Sequence, residues 1–169
     1  MLSRLQTCVR TIGLVNNFTK QSKLHHKITK YNFNHYRNIT YYTKDHEFIN
    51  YKKEENTAEI GITFYAKDSL GEIIFIDNEF ECGDEVDVGD EIITLESTKA
   101  TGCVSSPVTG EIEELNNDFI EDLDEYNKLS KDDETQYWLA QIKLSNEIDT
   151  TELLTKEEYE DLVTKLNNT

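Results

Sequence analysis

"ESTKATGCVSSPVTGEI" spans Glu96–Ile112, and the reading of the chain turns on it. The β-prone run "EIITLE" (91–96) leads in, and "CVSSPVTGEIEEL" (103–115) leads out. Between them stands one lysine, Lys99, flanked by Ser97, Thr98, Ala100, Thr101 and Gly102. Strand signals on both sides of a short polar break predict a hairpin with the lysine at its tip. Small neutral flanks leave the lysine stem accessible to another protein's active site. An ordinary solvated hairpin lysine is the alternative reading of the same residues.

Working outward, "CGDEVDVGDE" places Gly83-Asp84 and Gly89-Asp90 six residues apart. Each pair is a turn signal, because glycine permits positive φ and aspartate bonds its neighbouring backbone. Further upstream, "HEFINYKKEENTAEIGITF" reads as two strands, Glu47–Lys52 and Thr57–Ile62, joined by a turn at "KEEN". "YAKDSLGE" (65–72) has room for about one helical turn, stopped by Gly71 as a C-cap. The apolar run "EIIFID" (72–77) has strand length.

Downstream, Val104, Val108, Ile112 and Leu115 mark more β segments, with Pro107 expected at an edge or strand start. Phe119, Leu123 and Tyr126 have the i, i+4, i+7 spacing of one helix face. "QYWLAQIKL" (136–144) returns to a strand with Tyr137, Leu139 and Ile142 available for burial, and Trp138 is expected to pack. The end reads as a helix opened by a capping box, Thr155 to Glu158. A staple of Leu154 and Tyr159 and a stripe of Tyr159, Leu162 and Val163 accompany it. Many short strands without βαβ alternation predict a mainly β domain with short helices and a C-terminal helix.

Charge divides the chain. The first 44 residues hold eight basic residues and no acid, whereas the remaining nine basic residues share residues 45–169 with all 34 acids, a net charge of −25. Residues 1–40 fit a mitochondrial presequence, basic, hydroxyl- and amide-rich, with Leu2, Leu5, Val9 and Ile12 on one face of a short helix. A plastid transit peptide has similar composition, and a basic arm for an acidic partner is the bland alternative. Arg4 and Arg10 interrupt any secretory apolar core, and nothing is long enough to span a membrane. The acidic part, 41–169, repels phosphates and so argues against nucleic-acid binding. Basic docking faces suit it. Cys8, Cys82 and Cys103 show no C-x-x-C spacing, so neither zinc nor a thioredoxin-type site is signalled.

Residues 42 to 165 resemble the lipoyl and biotinyl carrier domains, and within them the H proteins of the glycine cleavage system. "YTKDHEF" is similar to the family's opening, with Phe48 where tryptophan is usual. "IGITFYAKDSLGEIIFID", "GDEVDVGDEIITLESTKA", "SPVTGEIEELNN" and "LLTKEEYEDL" follow in the family's order. Thr98 and Ala100 beside the lysine, rather than methionines, separate the chain from biotin carriers. The terminal helix separates it from short lipoyl domains.

The resemblance implies a barrel-sandwich hybrid and a non-catalytic carrier with lipoic acid in amide linkage on Lys99. Glu96, Ser97, Thr98 and Ala100 are then what a lipoate-attaching enzyme recognises around the lysine. Glu47 is implicated in a cleft that shelters the aminomethylated arm, a solvated strand end being the alternative. The implied partners are a pyridoxal-phosphate glycine decarboxylase (P protein), an aminomethyltransferase using tetrahydrofolate (T protein) and dihydrolipoyl dehydrogenase (L protein), in the mitochondrial matrix. A lipoyl relay to 2-oxoacid dehydrogenases and an unmodified acidic interaction domain are the competing functions. Two departures from the family stand out. Cys103 takes a position that is commonly acidic, and "EDLDEYNKLSKDDETQ" (121–136) replaces a Pro-Gly loop. Cys103 is expected to be a buried, inert thiol; if exposed, it is a candidate for a mixed disulfide with the arm.

Overall fold

A computed structural model describes residues 38–168; the expected presequence helix and Cys8 lie outside the described residues. All strand pairings are antiparallel, in two sheets. β1 (Ile39–Tyr42), β2 (Glu47–Lys52), β3 (Thr57–Ile62), β5 (Glu85–Val86), β8 (Gly110–Leu115) and β9 (Ala140–Leu144) form a sheet of order β1-β2-β3-β9-β8-β5. β4 (Ile73–Asn78), β6 (Glu91–Ser97) and β7 (Thr101–Ser105) form the second, of order β4-β6-β7. The sheets do not close into a barrel. The mainly β hybrid with a terminal helix is therefore the architecture observed.

The core lies between the sheets, where Ile60, Ile112 and Ile142 of one meet Ile93, Leu95 and Val104 of the other. Period-two alternation gives β2 a second buried face. Ile49 and Tyr51 point into this core, while Phe48 packs with Tyr42 and Tyr159 in a smaller cluster. That cluster seats α4 (Lys156–Asn167), the terminal helix. Its capping box is present, and Leu154, Leu162, Val163 and Trp138 pack around it as the stripe and staple predict.

Short helices fill the connections. α1 (Phe64–Leu70) is capped by the Thr63 hydroxyl and ends at Gly71, whose φ of 89° is in the left-handed region and whose N–H donates to Lys67 O. The two Gly-Asp turns form as expected, with the Asp84 and Asp90 carboxylates accepting from Glu81 N and Asp87 N.

Three expectations change. The helix face from Phe119 to Tyr126 is broken into α2 (Asn117–Ile120) and α3 (Leu123–Tyr126), because Asp122 turns its carboxylate to Glu125 N and starts a new helix. β9 begins at Ala140, not near Tyr137, whose ring instead stacks on Phe119 at 4.9 Å. β1 was not expected at all, and it runs across residue 40, where the charge pattern divides the chain.

Candidate functional site

Lys99 stands at the tip of the β6–β7 hairpin, exposed along with Glu96, Thr98 and Ala100. Ser97 shapes the tip. Its hydroxyl donates to Ala100 O at 2.9 Å and accepts from Lys99 N at 3.1 Å and Ala100 N at 3.0 Å. One donor and two acceptor sites are the whole capacity of a hydroxyl. The backbone adds Ser97 N to Ala100 O at 2.9 Å, and Thr98 N reaches Glu72 O at 3.4 Å. Ser97 to Ala100 thus form one hydrogen-bonded turn at the end of the hairpin, with the Lys99 side chain lying over Gly71.

The end of α1 supports that turn. A Cβ added at Gly71 would meet Lys99 Nζ at 3.2 Å, and one at Gly102 would meet Leu70 Cδ1 at 3.2 Å. Asn127 fixes the strand alongside. Its Oδ1 accepts from Ile73 N at 2.9 Å and its Nδ2 donates to Ile73 O at 2.8 Å, while Asn127 O accepts from Lys67 Nζ at 3.2 Å. The loop that departs from the family pattern therefore braces both elements beside the lysine. Nothing local in the sequence marks Asn127 for this, and Gly71 is legible only as a helix stop.

Glu47 occupies the second part of the site. It is only 4% exposed, which overturns the solvated strand end. The Thr43 hydroxyl donates to Glu47 Oε2, and Ser105 N donates to Oε1 at 3.3 Å. The carboxylate thus ties the β1–β2 corner of one sheet to β7 of the other. With two of its roughly four acceptor positions in use, it retains capacity for another donor. It lines a cleft of 380 Å³ with Thr43, Asp45, Val88, Ser105 and Leu153.

The corner is held from behind. His46, at φ 76°, places Nδ1 2.9 Å from Tyr159 Oη, which in turn lies 2.7 Å from Thr63 Oγ1. Tyr42 stacks on Tyr159 with centroids 4.7 Å apart and donates to Glu134 Oε1 at 3.1 Å. Burial pushes the Tyr159 phenol up to about 12, so it stays protonated at any physiological pH. A second cleft, of 540 Å³, lies between α1 and α4 beside this cluster. None of the site residues expected from the sequence lines it.

Cys103 is exposed, contrary to the expected burial. Partial enclosure of the sulfur comes first among the causes that push its thiol up, followed by the charge of Glu91 and a hydrogen bond to it. Exposure makes it reachable, and the raised pKa leaves little reactive thiolate at neutral pH. The acid absent from position 103 is present nearby as Glu91 and Glu47.

Comparison with known proteins concerns the chain as a whole. The family described as glycine cleavage H-protein matches residues 40–166. The glycine cleavage system H protein of Dinoroseobacter shibae is 45% identical over 124 residues, covering 73% of this chain and 97% of that protein. The H protein of Carboxydothermus hydrogenoformans is 38% identical, covering 72% of this chain and 89% of its own length. Among solved structures, a glycine cleavage system H protein from Mycobacterium marinum superposes with a TM-score of 0.60 at 27% identity, covering 75% of this chain and 98% of that one.

Proposed function

The chain belongs to the glycine cleavage H-protein family, and on that premise we propose that Lys99 is the residue on which it carries lipoate. Proteins of this family are lipoyl carriers, not enzymes, and they work with the other components of the glycine cleavage system. The observation that carries the assignment is the isolated lysine at an exposed tip built by Ser97. None of the ion pairs among the described residues involves Lys99. Acylation therefore breaks no ion pair of the fold.

Bound lipoate supplies a dithiolane that takes up and gives up the aminomethyl group of glycine and is returned to its oxidised form by thiol–disulfide exchange. This chain's own residues orient and shelter. Ser97 holds the tip rigid, so the arm leaves from one fixed place. Glu47, buried but with acceptor capacity to spare, is the group suited to hold an amine in the 380 Å³ cleft. The partners that fit are the glycine decarboxylase, the aminomethyltransferase and dihydrolipoyl dehydrogenase, each with a basic face toward a −25 surface.

Location is part of the same proposal. The relatives named above are bacterial, and the family match lies at residues 40–166, the acidic part of the chain. The mitochondrial assignment rests on residues 1–40, basic and free of acid. Intact mass of the protein from its native cells, beside a Lys99→Arg control, tests both points. The expected result is a lipoyl increment absent from the control, on a chain shortened at its N-terminus. An unmodified full-length chain in cells that lipoylate other proteins would overturn the assignment.

A further inference from the structure

Apolar surface is scarce on this acidic domain, yet two large apolar residues stand exposed in succession. Ile74 is 50% exposed and Phe75 48%, on β4 at the edge of the three-stranded sheet. A regular strand would send one of them inward. The ladder explains why it does not. Ile73 pairs with Ser97 and Phe75 with Glu96, so Ile74 is an extra residue, a β-bulge, and Ile73 and Ile76 on either side are buried. Bulges re-aim side chains, and they recur next to functional sites. Here Asn127 grips both polar groups of the Ile73 backbone immediately before the bulge.

The position of this pair along the ladder is specific. Phe75 pairs with Glu96 and Ile73, just before the bulge, with Ser97, the residues that enter the Lys99 turn, and Thr98 N is bonded to Glu72 O on the same edge. Exposed carboxylates at Glu72, Asp77, Glu79 and Glu96 surround it. An aromatic and apolar centre with a charged rim is the composition of a protein-binding patch. The rim calls for a basic partner.

Reach selects among the partners. Enzymes that process the loaded arm receive a dithiolane standing beyond the lysine by the whole length of the lipoyl chain. The enzyme that installs lipoate must bring the bare Nζ, one lysine stem from the backbone, to its own acyl carbon, and so must touch the residues flanking the turn. We propose that Ile74 and Phe75 form the docking patch for the lipoate-attaching enzyme, a partner with an apolar pocket inside a basic rim at the mouth of its active site. This rests on Lys99 being the attachment residue. In the step served, Nζ attacks the acyl carbon of lipoyl-adenylate, an amide forms, AMP departs with the bonding pair and Nζ loses a proton.

The test uses the unmodified chain with a lipoate–protein ligase, lipoate, ATP and Mg²⁺, reading acylation by mass. Ile74→Ser/Phe75→Ser is expected to lower kcat/KM at least about tenfold, the loss of one to two interface anchors, with kcat recovered at high carrier concentration. KM for the wild-type chain rises with salt as the acidic rim is screened. Leu166→Ser, an exposed apolar residue on α4, leaves the rate unchanged. A melting temperature equal to that of the wild type certifies the double variant. Independently of any variant, amide exchange of Ile74 and Phe75 in the wild-type chain slows when ligase is added. Acylation of the double variant within twofold of wild type, or no protection of β4, overturns the docking patch. Failure of the wild-type chain to be acylated at Lys99 is a different result. It removes the attachment assignment, and the patch with it.

Discussion

The tip that bears Lys99 and the corner that bears Glu47 are built in opposite ways. Ser97 shapes the tip through bonds to residues two and three positions away. The corner depends on Ser105, 58 residues from Glu47, and on a tyrosine 113 residues from His46. The tip is exposed, and Lys99 is in none of the ion pairs among the described residues; at the corner the Glu47 carboxylate is buried and held by two donors, with acceptor capacity left over. On the proposed assignment, a group that is to be handed between active sites must not be part of the fold, whereas a group that waits for it must be held by the fold. Function and stability therefore separate between the two regions.

The sharpest way to break this comparison is to cross them. Lys99→Arg is expected to abolish modification outright and leave the melting temperature unchanged. Glu47→Ala is expected to leave modification of Lys99 intact while costing about 1–3 kcal/mol, because it strands the Thr43 hydroxyl and the Ser105 N–H. Thermal melting of the unmodified proteins and intact mass after acylation check both. If the two variants lose stability equally, the tip is part of the fold after all and the separation fails.

The same contrast decides what the sequence made legible. A turn bonded within four residues can be read in order along the chain, and Lys99, its small neutral flanks and the adjoining strands are recognisable there, though not the bonds that Ser97 makes. The capping box at Thr155 is equally local and equally legible. The corner was legible only as Glu47 itself, through resemblance, because Thr43 and Ser105 carry no pattern that points to each other. β1 is not legible from charge, because its pairing does not follow the charge boundary. Its four residues need only β2 as a partner, and the ladder from Ile39–Tyr51 to Tyr42–Phe48 is indifferent to the basic composition before it. Tyr137 matched a strand by alternation, but its ring had a better site against Phe119.

Two smaller substitutions sharpen the comparison from the braces on either side. Asn127→Ala removes both bonds to Ile73, a residue 1% exposed, and is expected to cost about 1–3 kcal/mol, since two buried backbone groups lose their partner. Its effect on the tip is indirect, a looser β4 beside the lysine, seen as faster amide exchange from Ile73 to Phe75. Ser97→Ala costs less, about 0.5–1.5 kcal/mol, because water replaces the lost hydroxyl at an exposed turn. It should nonetheless slow acylation more than Asn127→Ala does, as the turn itself loses its shape. The reverse order would mean that the strand, not the turn, presents the lysine.

The smallest effect lies where the two regions meet. Cys103 sits on β7 between Ala100 of the tip and Ser105 of the corner, exposed to reagent but with a thiol pushed up by partial enclosure of the sulfur and then by Glu91. Only the thiolate is alkylated, so the raised pKa suppresses reaction at neutral pH, and the rate should climb at a higher pH than for the same cysteine in the urea-unfolded chain. Enclosure is the larger cause, so Glu91→Gln recovers part of that gap and not all of it. Because the charge of Glu47 ranks after the charge of Glu91 and the hydrogen bond to it, Glu47→Gln shifts the profile less than Glu91→Gln. Peptide-resolved iodoacetamide labelling across pH separates Cys103 from Cys82 and Cys8. Coincident folded and unfolded profiles would show that neither enclosure nor the carboxylates act on the thiol. A displaced profile would show that a thiol four residues from Lys99 is kept protonated, and hence slow to exchange with a neighbouring disulfide.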